Sequence, residues 1–168
     1  MRKIILVVAM CLGGAAMASD ETHGTGIMVH DVKAAASVGM AKAGAGYMVI
    51  MNHSTHEDRL LEVRADLPRV EIHNIVEVDG QTRMVRQDDG ILVPAGESVM
   101  LAPGGFHVMF MGLSAPFVAG ETVDAVLVFE KAGEVPVTFE IVDRAMLMKE
   151  GGMDHGTMDH SEQDGHDG

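Results

Sequence analysis

The chain has 168 residues, the length of one domain, with 47% apolar and 22% charged residues, so it can build a core and is not broadly disordered. Twelve Lys and Arg stand against 25 Asp and Glu, and the formal charge of −13 excludes a nucleic-acid binder that relies on basic residues to displace phosphate counterions. The unusual counts are 15 Met and 9 His beside one Cys and no Trp, an excess of soft sulfur and imidazole donors.

The N-terminus reads as a secretory signal covering residues 1–18. Arg2 and Lys3 give a positive start, Ile4 to Ser19 is an uncharged and mostly apolar run, and Ala16-Met17-Ala18 puts small residues where a signal peptidase reads them. The run is shorter than the roughly 18 to 20 residues a bilayer span needs. Cleavage after Ala18 and export to the bacterial periplasm are expected, with no membrane span afterwards. A lipoprotein is the alternative, because Cys11 sits in the apolar run, although Met10 before it is larger than such a cleavage site prefers. Without Arg2 and Lys3, 10 bases face 25 acids, so the mature chain carries −15, and it has no cysteine. Disulfides, thiolate nucleophiles and blue-copper sites are thereby excluded.

The body, residues 19–149, reads as short strands. In chain order the candidates are Gly26–Val32, Gly46–Asn52, Arg59–Val63, Arg69–Val78, Gln81–Val85, Ser98–Ala102, Phe106–Gly112, Thr122–Phe129 and Val135–Val142. Turn signals such as Asp79-Gly80, Pro94-Ala95-Gly96 and Pro103-Gly104-Gly105 fall between them. This pattern predicts an all-β antiparallel sandwich or barrel. Ala34 to Ala41 has some helix propensity, but its glycines and short length argue against a stable helix. From Glu150 onward the composition changes to six acids, no base and two apolar residues, Met153 and Met158, and a flexible tail over 150–168 is expected.

Alternation then distributes the donors. In Phe106-His-Val-Met-Phe-Met111, the core face takes Phe106, Val108 and Phe110, leaving His107, Met109 and Met111 on the other. If Asp79-Gly80 forms a type I′ loop, residue 78 pairs with 81 and 75 with 84. Val70, Ile72 and Val76 then face the core, while Glu71, His73, Ile75 and Met84 face away, with His73 and Met84 as diagonal neighbours. Two imidazoles and two thioethers make a neutral, soft donor set that favours Cu(I) over Ca, Mg or Zn, without the thiolate that would slow release. Met28, Met48 and Met100 are read as core gap-fillers.

These residues resemble the periplasmic PCu(A)C copper chaperones, whose pattern is His, ten residues, Met, about twenty-one residues, then His-x-Met. Here ten residues separate His73 from Met84, and Pro-Gly-Gly-Phe-His107-Val-Met109 closes the motif. Val93 to Glu97, Leu101 to Leu113 and Leu127 to Gly133 resemble further family segments. Two departures are visible: 22 residues separate Met84 from His107, where the acidic turn Gln87 to Gly90 could absorb the extra one, and Asn74 and Ile75 stand where the family often has a Met. Met111 is the spare thioether.

The resemblance implies a cupredoxin-like sandwich binding Cu(I) through His73, Met84, His107 and Met109. It further implies delivery to the Cu(A) centre of cytochrome c oxidase subunit II, alongside Sco-type thiol proteins, by a monomer. The same chemistry without an oxidase client would make a periplasmic copper buffer or resistance protein.

The tail repeat Met153-Asp-His155 and Met158-Asp-His160, with His166 beyond, is a second candidate copper site, for Cu(II) through nitrogen and oxygen or Cu(I) through sulfur. His23, His53 and His56 read as solvated, and His30 as either core or surface. Enzyme signatures are missing from the sequence: there is no G-x-S-x-G, H-E-x-x-H or Walker loop, and Gly44-Ala-Gly46 lacks a third glycine. A non-enzyme is expected.

Overall fold

Residues 26–151 are described by a computed structural model; the signal at 1–18 and the tail donors Met153, His155, Met158, His160 and His166 lie outside them. The strands, in chain order, are β1 Ile27–Ala35, β2 Ala43–Asn52, β3 Asp58–Ala65, β4 Arg69–Val78, β5 Gln81–Arg86, β6 Ile91–Val93, β7 Ser98–Leu101, β8 His107–Met111, β9 Thr122–Phe129 and β10 Gly133–Val142. One helix, α1 Arg144–Gly151, follows. Two elements escape the sequence pattern. Ile91–Val93 is too short to show alternation, and α1 runs across the composition change at Glu150. Leu147 anchors the helix, buried against Ala35, Val142 and Tyr47.

The β4–β5 hairpin forms as its turn chemistry dictates. Asp79 and Gly80 both have positive φ, 54° and 72°, as a type I′ loop requires. Val78 then pairs with Gln81 and Ile75 with Met84.

The strands hydrogen-bond in the order β5-β4-β8-β2-β1-β10-β9-β3-β6, with β7 also on β2, and the two ends do not pair, so the sheet stays open rather than closing as a barrel. One pair departs from the antiparallel expectation: β1 and β10 run parallel, from Lys33↔Glu140 to Ala35↔Val142. Parallel neighbours need a long connection, and here strands β2 to β9 all lie between the two. Phe110 on β8 and Phe139 on β10 are three places apart in the ladder, which at about 4.8 Å per strand is roughly 14 Å along a flat sheet. Their rings nonetheless stand 5.2 Å apart, edge to face. The sheet therefore curls so that its inner faces meet in one core, which includes Met48, Ile50, Leu60, Leu127 and Ile141.

Glycine in β2 makes that inward meeting of faces possible. A Cβ on Gly46 would stand 2.7 Å from Phe139 Cε1 and 2.9 Å from Phe110 Cε2, and one on Gly44 would stand 2.6 Å from Phe117. The Gly44-Ala45-Gly46 pattern thus clears room for three rings. Gly46→Ala is expected to destabilise the fold by about 1–3 kcal/mol through overpacking, read as a lower urea midpoint with unchanged m-value.

Candidate metal centre

β8 has two faces, and the site is built on the one turned away from the aromatic core. Val108 and Phe110 are fully buried inward, as their alternation requires, and Phe106 packs at the core margin. On the other face β8 pairs with β4 so that His107 lies directly opposite His73 and Met109 opposite Glu71. β4 in turn pairs with β5, so that His73 faces Arg86 and Ile75 faces Met84. His73 and Met84 are the diagonal neighbours that the hairpin register predicts.

Three of the four sequence-predicted donors, Met84, His107 and Met109, line a single cleft of 340 Å³. The rest of its lining comes from the end of β1, the loop after it and the neighbouring strand β2, including Ala36, Val38 and Ala45, with Arg144 of α1. The expected outward presentation is corrected for one of them. His107 is only 4% exposed, although it stands on the face that alternation turns from the core. Met84, on the edge strand β5, is 53% exposed. His73 does not line the cleft; it sits beside His107, ring centroids 5.9 Å apart and planes at 83°.

Hydrogen bonds fix which ring nitrogen of each histidine keeps a lone pair. His107 Nδ1 lies 2.9 Å from the Gly105 carbonyl, which can only accept, so Nδ1 carries the proton and Nε2 is left basic. His73 Nε2 lies 2.9 Å from Glu71 Oε2, so that nitrogen donates and Nδ1 keeps the lone pair. His73 Nδ1 is buried without a hydrogen-bond partner. A buried polar atom left unpaired is costly, and a soft cation beside it would satisfy it. The donors present, two neutral imidazoles and thioethers, fit Cu(I). Among the described residues no three His, Cys, Asp or Glu side chains converge, so the thioethers are what complete a donor set. Met111, the spare thioether, lies outside the cleft lining and accepts a contact from Arg69 Nη2 at 3.2 Å.

Glu71 is the residue that pattern reading passed over. Its carboxylate, 10% exposed, accepts from His73 and from Arg86 Nη1 at 2.8 Å, with Arg69 Nε at 3.7 Å. The His73 hydrogen bond holds the Glu71 carboxyl below its usual range, burial opposes this, and Arg86 and Arg69 add to the lowering. Its position two residues before His73, on the same strand face, is the signal that could have found it. The loop Asn52 to Glu57 leaves His53 and His56 exposed, and His30 is also at the surface.

Known proteins are similar to this chain in fold. The family model described as "Putative lipoprotein LpqE-like" matches residues 27–141. A "Putative lipoprotein" of Leifsonia xyli subsp. xyli is 36% identical over 74 residues, 44% of this chain, and the match spans about half (45%) of that relative. A structure titled copper-bound PCuAC domain from PmoF2 is similar at 28% identity and TM-score 0.58, covering 70% of this chain and 93% of that one. The apo PCuAC domain from PmoF1 is similar at 26% identity and TM-score 0.59, covering 70% and 94%. Apo-DR1885 from Deinococcus radiodurans shares the fold at 21% identity and TM-score 0.56, covering 85% and 97%.

A carboxyl whose pKa is depressed in the folded state stabilises it above the unfolded pKa, and that contribution is lost as pH falls through the folded one. Glu71→Gln is therefore expected to lower stability at about pH 7, with the gap to wild type narrowing below about pH 4. Urea denaturation of both proteins across that range measures it, and a gap independent of pH would contradict this role of Glu71.

Proposed function

The chain belongs to the LpqE-like family, and we propose that it is an exported copper carrier that binds Cu(I) through His73, Met84, His107 and Met109. One observation carries this reading. Met84, His107 and Met109, from two strands, share one cleft, and beside them His73 keeps a buried ring nitrogen with no partner. The likeness to a copper-bound PCuAC domain supports it.

All four ligands are neutral, so the site binds a soft monovalent ion without a thiolate's strength. Met84 is exposed on edge strand β5, which gives an incoming acceptor ligand a first place to displace. The chemistry suits transfer, and we propose a carrier rather than an enzyme. The receiver we propose is the Cu(A) centre of cytochrome c oxidase subunit II, with Sco-type thiol proteins as partners. The tail donors Met153, His155, Met158, His160 and His166 are proposed as a second copper site. It follows α1, whose first residue, Arg144, lines the cleft.

The relatives' lipoprotein names support export to the periplasm and give weight to lipid attachment at Cys11. Either processing route leaves no free thiol, since Cys11 is removed with the signal or lipidated on its sulfur. Reductant for the copper must then come from elsewhere.

Cu(I) competition titration tests the site. His107→Ala with Met109→Ala is expected to weaken the tightest equivalent by about two orders of magnitude, about 2.7 kcal/mol. Unchanged affinity would sink the assignment. For the receiver, a deletion strain should lose oxidase activity and regain it with added copper. Copper sensitivity with normal oxidase would point to buffering instead.

A further inference from the structure

Methionines outside the cleft fall into two kinds. Met48 is fully buried and fills the core as expected, but Met28 and Met100, read as gap-fillers too, are 54% and 61% exposed. Both lie on the outer face of the three neighbouring strands β1, β2 and β7. There Met28 pairs with Met51 and His30 with Val49, while Val49 pairs with Met100 and Met51 with Ser98. The alternate positions Val29, Ile50 and Leu101 turn to the core, so Met28, His30, Met51 and Met100 share the opposite face.

The register brings three of these together. Directly opposite residues have Cβ atoms about 4.5–5.5 Å apart, and diagonal ones at most about 7–8 Å. Met51 is opposite Met28 and diagonal to His30, while Met100 lies on the next strand beyond Val49. Two thioethers and an imidazole therefore surround one point of the β1–β2 ladder, in reach of one ion.

His30 is also prepared as a ligand. Its Nδ1 lies 2.8 Å from Asp31 Oδ2, so that nitrogen donates to the carboxylate and Nε2 keeps its lone pair. Asp31 stands at a φ of 53°, where the β1–β2 register shifts between His30 and Lys33. Such a bulge re-aims a side chain, and here the irregular residue is the one that orients the imidazole. The device matches those at His73 and His107.

We propose that Met28, His30 and Met51 form a second soft-metal site, taking Cu(I) or a like monovalent ion on the outer face of β1 and β2. It uses none of the cleft residues and stands or falls separately from them.

The test uses the full chain with 13C-labelled methionine methyls, titrated with Ag(I) as a redox-stable soft probe, each resonance assigned by a single Met→Leu variant. The Met28 and Met51 methyls are expected to shift together. Met51→Leu keeps volume and apolarity, so an apolar docking patch would survive it, whereas a metal site loses a donor. In that variant the half-saturation for Met28, and in His30→Ala that for Met28 and Met51, should weaken by about tenfold or more, with Met84 and Met109 unaffected. A Met28 methyl that stays still in wild type, or that shifts with the same midpoint in Met51→Leu, would overturn the proposal. Silent Met84 and Met109 methyls would count against the cleft reading alone.

Discussion

The pairing of β4 with β8, in the register that sets His73 opposite His107, is the constraint on which the candidate centre depends. Side chains alternate with period two, so a slip of one residue would turn His107 and Met109 inward and push Val108 and Phe110 into the cleft. Burial of Phe110 against Phe139 and Phe117 holds that register, because a slip would expose the ring that anchors the core. The apolar face thereby positions the donor face. Gly44 and Gly46 on the adjoining strand β2 serve the same end by leaving space for those rings.

Polar contacts leave His107, His73 and His30 each with one ring nitrogen occupied and one open. A backbone carbonyl occupies Nδ1 of His107, Glu71 occupies Nε2 of His73, and Asp31 occupies Nδ1 of His30. Each such contact selects a neutral tautomer and limits ring rotation, which lowers the ordering cost of binding a cation. Arg69 and Arg86 offset the charge of Glu71, so its carboxylate orients His73 without making the cleft a hard-ion site.

Thioethers explain the unusual composition. Burial uses some, such as Met48, as ordinary packing, but others stand at the surface, where an apolar side chain gains nothing from the core. Their grouping around histidines, in the cleft and on the outer face of β1 and β2, follows from alternation acting on neighbouring strands. A carrier that uses several weak soft donors rather than one thiolate holds its cargo reversibly.

Local rules made much of this legible from residues. Turn chemistry at Asp79-Gly80 and period-two alternation in 69–86 and 106–111 were enough to place β4, β5 and β8, the hairpin register, and the donor side of each strand. What those rules could not reach was any pairing between strands distant in sequence. That β8 would lie beside β4, that β1 would meet β10 in parallel, and that His107 would be buried all follow from global packing of the core. Sequence by itself determined which donors exist and which face each takes, because alternation is a property of a single strand. Tertiary structure decided that His107 is enclosed, Met84 open and His73 set beside the cleft, because burial depends on which distant strand becomes the neighbour.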